Sequence, residues 1–174
     1  MRYARVSLER ALTMLSAAEI KKTLVLGIGN TLLSDEGIGI HVIRKLANAT
    51  PNTDTTLLDG GTLSFTLAGP IEDCERLIVV DAAELRAQPG SVRVFVDAEM
   101  DRHVAAGGKR SVHEVGLADL LAVAALAGRL PPQRALVGIQ PQSMDWGMQP
   151  TEPVAAALPG ACRAVEQLIE AWPS

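Results

Sequence analysis

The chain is poor in rings. Phe, Trp and Tyr together make up 3% of its 174 residues although apolar residues reach 48%, so a core must be built from Ala, Leu, Val and Ile. A single-stranded nucleic acid would find few aromatic faces to stack on. Basic residues bring no excess either: 16 Lys and Arg stand against 20 Asp and Glu, for a formal charge of −4. They are scattered rather than gathered in the basic stripe that nucleic-acid binding needs. Only Cys74 and Cys162 are present, far apart and without CxxC spacing, which is ordinary usage in a reducing compartment. No apolar run is long enough to span a bilayer, and Arg2, Arg5, Glu9 and Arg10 break up residues 1–20, which do not read as a secretory signal. A cytoplasmic protein without membrane insertion is expected. Repeats, low-complexity tracts and linkers are lacking too, so the length suits one domain.

What is present is concentrated first in Thr23 to Asn48. Thr23 to Leu26 is a short apolar, partly β-branched run that stops at Gly27, Gly29 and Asn30, as a buried strand of an α/β sheet does. From Asp35 onward, Ile38, Val42, Ile43 and Leu46 recur at helical spacing, with Arg44, Lys45 and Asn48 on the other face. Ser34 is positioned to cap that helix, and Asp35 and Glu36 fall in its first turn, where acids match the helix dipole. Glycines between a strand and a helix also suit a dinucleotide loop, which keeps a nucleotide-binding α/β protein as one alternative. Leu32 stands where the third glycine should be, however, and acids at the helix start repel phosphate. Such an electronegative turn suits a cation better.

The rest of the chain repeats the pattern. Thr55 to Asp59 reads as a second strand followed by a short helix at Thr62 to Ala68. Arg76 to Asp81 is the clearest central strand, with Asp81 at its carboxyl end. Val92 to Val96 alternates as a less central, antiparallel strand, and Asp97 to Arg110 reads as a mobile loop. Ser111 and Glu114 have capping-box spacing for a helix running to Gly128, which places His113 in its first turn, where the neutral ring is favoured. Arg134 to Ile139 is a further strand. The loop Gln140 to Thr151 carries Trp146, which either contacts a partner or packs over its own sheet. Val154 to Trp172 closes the chain as a helix with a start or kink at Pro159; its period places Cys162 in the core, and Cys74 lies between two acids that disfavour a thiolate.

The expected fold is α/β: a single-domain three-layer sandwich whose twisted, mostly parallel sheet of about five strands lies between helices. Residues 23–174 form that domain. Residues 1–22 are an N-terminal extension, either a short helix on Val6, Leu8, Leu12 and Leu15 or a flexible segment. In open α/β sheets ligands bind outside the carboxyl ends of the strands, where strand order reverses. Glu36 follows the first strand, Asp81 ends the third, and His113 opens a helix that must pack back on the sheet. Two carboxylates and one imidazole suit a borderline divalent metal such as Zn²⁺ or Ni²⁺. Each also has a plainer reading, as a surface acid or a locally bonded histidine.

The run Gly27-Ile28-Gly29-Asn30, Leu32, Asp35-Glu36-Gly37 and Gly39 resembles the opening signature of the endopeptidases that mature nickel-iron hydrogenases. The likeness continues in order through Asp59-Gly60-Gly61-Thr62, Asp81, His113 with Gly116, Leu117 and Asp119, and Gly138-Ile139-Gln140-Pro141. The resemblance implies a peptidase with aspartic-type endopeptidase activity, an activator of another enzyme. Its implied act is removal of a C-terminal extension from the hydrogenase large-subunit precursor after nickel insertion. It also implies that Glu36, Asp81 and His113 contact nickel carried by that precursor, that Asp59 has a supporting role in orienting the scissile segment, and that no organic cofactor is needed. A monomer is expected. A non-catalytic metal-binding or docking protein of hydrogenase maturation is the other alternative.

Overall fold

Four apolar residues in succession need cover on both faces of a sheet. In the computed structural model, which describes residues 22–48, 54–107 and 116–172, Leu77, Ile78, Val79 and Val80 have it: all four are fully buried in the central strand β3 (Arg76–Ala82). β1 (Thr23–Gly27) and β5 (Gln133–Ile139) flank β3 in parallel. β2 (Thr55–Asp59) lies outside β1, and β4 (Val92–Val96) runs antiparallel to β5 at the far edge, giving the order β2-β1-β3-β5-β4. The mostly parallel, five-stranded sheet with an antiparallel fifth member is as expected.

Alternation along the strands sorts the core into two layers. Val25, Ile78, Val80 and Val137 face α1 (Ile38–Ala47) and the long closing helix, whose Val154, Ala161, Cys162 and Val165 join the same cluster. Leu24, Leu26, Leu77, Val79 and Leu136 face the opposite layer. That layer contains α2 (Ala68–Glu72), α3 (Ala98–Ala106) and α4 (Leu117–Leu126), with Ile71, Met100, Leu120 and Ala124 buried against the sheet. The closing helix, α5, spans Glu152–Ala171 and contains Pro159 without ending there. Both cysteines are core residues. Burial pushes the Cys74 thiol up to about 12, with Asp73 adding a lesser push, and burial raises Cys162 as well. No described helix is long and apolar enough to cross a membrane.

Four local expectations need correcting. The segment expected as a mobile loop from Asp97 contains α3, because Met100 is fully buried and Arg134 forms a two-pronged ion pair with Asp101 across the sheet edge. The helix after β2 comes later than Thr62–Ala68, as a 3-10 turn at Phe65–Leu67 leading into α2. The helix expected from Ser111 starts at Leu117, with Gly116 before it and the Gly116 amide donating to Asp119. Ser111, His113 and Glu114 lie outside the described residues. Finally, Asp35 and Glu36 belong to a separate 3-10 turn, Ser34–Gly37, that precedes α1, and Ser34 caps no helix.

Candidate active site

The strand order places a switch point between β1 and β3. From β1 the chain goes outward to β2, then returns to β3 on the other side, so the connections after β1 and β3 diverge at the carboxyl edge, the place where open α/β sheets bind ligands. The connection after β1 is short and densely packed. Gly29 has φ 137° and lies so close to the Glu36 carbonyl that a Cβ would overlap it. Gly39 sits equally close to the carbonyls of Val80 and Ile28, and Ile28 N donates to Val80 O at 2.9 Å. The glycines therefore bring the backbone of the Ser34–Gly37 turn and the start of α1 onto the ends of β1 and β3. They serve packing here, not approach to a phosphate.

Glu36 is thereby held on a turn that packs against β3, the strand whose carboxyl end bears Asp81. In register Asp81 pairs with Gly138 of β5, and by alternation it falls on the side of Leu77 and Val79, the face covered by α4. His113 precedes α4 by four residues in sequence and lies outside the described residues. Asp59 ends β2, paired with Gly27, which in turn pairs with Val80. It is thus two strand spacings, roughly 10 Å, out from β3. Its carboxylate faces Arg44 at 3.7 Å and accepts from Gly61 N at 3.1 Å. Beside it lies an open depression of about 260 Å³ lined by Gly29, Asn30, Thr31, Arg44, Asp59 and Thr62, among others. Among the described residues no group of three His, Cys, Asp or Glu side chains could hold a metal.

The two neighbouring acids have different fates. Asp35 is fully buried, and its carboxylate accepts from the amides of Gln142 at 2.8 Å, Ser143 at 2.9 Å and Thr151 at 2.6 Å. The Thr151 hydroxyl adds contacts at 3.0 and 2.9 Å. Burial alone would raise the Asp35 pKa, but the bonds from Ser143, Thr151 and Gln142 outweigh it and hold the group below the usual carboxylate value. Ser34 is also buried: its hydroxyl donates to Asp145 O at 2.9 Å, and its amide to Gly147 O at 2.7 Å. The loop after β5 is thus lashed to the turn that carries Glu36. Gln140 does comparable work for the loop after β3, its side-chain oxygen accepting from Leu85 N at 2.7 Å and Ala87 N at 3.4 Å. These roles of Asp35, Ser34, Thr151 and Gln140 have no local signature in the sequence. Trp146 does not pack over its sheet: it is 83% exposed.

Residues 40–168 match the model of the hydrogenase maturation protease family. The chain belongs to that family, and it is a peptidase. It is 35% identical over 153 residues to the hydrogenase expression/formation protein HupD of Rhizobium leguminosarum bv. viciae, covering 87% of this chain and 75% of that protein. To the hydrogenase 2 maturation protease of Escherichia coli K12 it is 35% identical over 134 residues, covering 75% of this chain and 80% of the relative. Its structure is similar to that of the hydrogenase maturating endopeptidase HybD from Escherichia coli. There the TM-score is 0.79 at 33% identity, over 86% of this chain and 93% of that one. The [NiFe] hydrogenase maturation protease HybD from Thermococcus kodakarensis gives 0.70 at 31% identity, over 84% and 98%. This hydrogenase maturation protease therefore shares both sequence and fold with its relatives across most of its length.

Proposed function

We propose that this protease removes the C-terminal extension of a nickel-iron hydrogenase large-subunit precursor after nickel insertion, and that it reads the nickel through Glu36, Asp81 and His113. The observation that carries the reading is the packing of the Glu36 turn against β3 at the switch point, which puts Glu36 and Asp81 on elements in contact. Two carboxylates and one imidazole make a weaker permanent site than a thiolate-rich one. That weakness suits a protein that meets its metal only when the substrate delivers it, and differential affinity then separates filled from empty precursors. Nickel held against the scissile carbonyl would polarise it toward attack by water. The chain's own thiols are poorly suited to supply a nucleophile, since Cys74 and Cys162 are buried with raised pKa values. Asp59 borders the depression with Gly29, Asn30 and Thr31, and we assign it the orientation of the scissile segment.

Mass spectrometry of nickel-loaded and metal-free precursor, before and after mixing with enzyme, tests this. Shortening of the nickel-loaded form alone is expected. Equal processing of both forms would refute nickel sensing, and binding without shortening would favour a docking role. Asp81→Asn and His113→Ala are expected to abolish processing while leaving unfolding free energy within about 1–2 kcal/mol of wild type.

A further inference from the structure

On the connections that follow β1 and β5, three large apolar side chains are exposed: Trp146 at 83%, Met148 at 70% and Leu32 at 47%. They belong to segments more than a hundred residues apart in sequence, yet one backbone bridge joins them. Gly147 N donates to Leu32 O at 2.9 Å, and Ser34 N donates to Gly147 O at 2.7 Å. Gly147 has no room for a side chain, since a Cβ there would lie 2.4 Å from Ser34 Oγ. With Asp35 bonded to Gln142, Ser143 and Thr151, the loop is tied down on both sides of Trp146. From Gln140 to Thr151 the only ionisable side chain is Asp145, and its carboxylate accepts from Ser143 Oγ at 2.9 Å.

We infer that Leu32, Trp146 and Met148 form the patch by which this protease grips the folded body of the large-subunit precursor, apart from the segment it cuts. This rests on the function proposed above. Trp and Met are enriched, and charge depleted, at the centres of protein interfaces. A tied-down loop also loses little conformational freedom when it is covered. The occupant follows from position. Leu32 is four residues before Glu36 on the same short connection, so whatever covers the patch lies beside the proposed cleavage site, and the substrate must be there during turnover.

Two measurements decide it. In the first, steady-state processing of nickel-loaded precursor is compared between wild type and Trp146→Ala/Met148→Ala. KM should rise about tenfold or more, with kcat and thermal midpoint unchanged. In the second, Trp172→Phe leaves Trp146 as the only tryptophan. Its emission should shift to the blue and lose iodide quenching when precursor is added. An unchanged KM together with persistent quenching overturns the patch while leaving the protease reading intact. Failure of wild type to shorten the precursor at all would instead remove the reading on which the patch rests. Sedimentation provides a last check: self-association of wild type that the double variant loses would assign the patch to a second copy and overturn the proposal.

Discussion

Two loops leave the carboxyl edge side by side, and they are held by opposite kinds of group. Residues 83–91, after β3, hang on the neutral amide of Gln140, which accepts from Leu85 N and Ala87 N. Residues 141–151, after β5, hang on the carboxylate of Asp35, which accepts from three amides and a hydroxyl. A charged acceptor makes stronger bonds than a neutral one, but only while it is ionised. One loop is therefore held at any pH, and the other is held more firmly over a limited range.

Removing the stronger tether should have the largest effect. Asp35→Ala leaves several donors without their acceptor and is expected to cost about 3 kcal/mol or more in urea unfolding at neutral pH. A loss below about 1 kcal/mol would mean that the carboxylate is not what holds the loop. Acid should dismantle the same tether in wild type. The folded Asp35 pKa lies below its ordinary value of 3.8, so its contribution is fully present above that value and is lost as pH falls through the folded pKa. His41 acts earlier: burial, with a lesser push from Arg44, lowers its pKa below 6.5, so stability should begin to decline as pH drops below 6.5. Wild type and Asp35→Asn should thus differ at pH 7, share the His41 decline, and converge once Asp35 is protonated. Parallel curves down to the lowest pH would assign the acid response to other groups. The neutral tether should give the smallest change. Gln140→Leu is expected to cost about 1–3 kcal/mol, with a pH dependence like that of wild type.

Much of the sheet was legible because its signals are local. The apolar run at Leu77–Val80 and the alternation at Val92–Val96 each depend on neighbours two or fewer residues away, and both became strands of the expected kind. α3 was missed because its stability comes from elsewhere. Met100 is its one fully buried side chain, and the Arg134–Asp101 pair and the stacking of His103 on Phe95 join it to other elements. At the site, the sequence pointed to the edge that bears Glu36 and Asp81, with Asp59 two strand spacings out. Local pattern alone does not separate Asp35 from Glu36, because both read as acids near a helix start; only the family resemblance singles out Glu36. Only the partners of Asp35, 107 to 116 residues further along, distinguish a tether from a surface charge.

That sequence distance orders the assembly of the molecule. Closing a loop of more than a hundred residues is entropically unfavourable until the elements between its ends are already packed. The Asp35 carboxylate is therefore expected to gain its donors after β3 and β5 have joined the sheet. A nascent chain that stops short of Gln142 has the elements that carry Glu36, Asp59 and Asp81 but none of the amides that tie the loop after β5 to their edge. The bonds that fix this edge thus join the two ends of the fold and belong to the long-range contacts that a folding chain completes late.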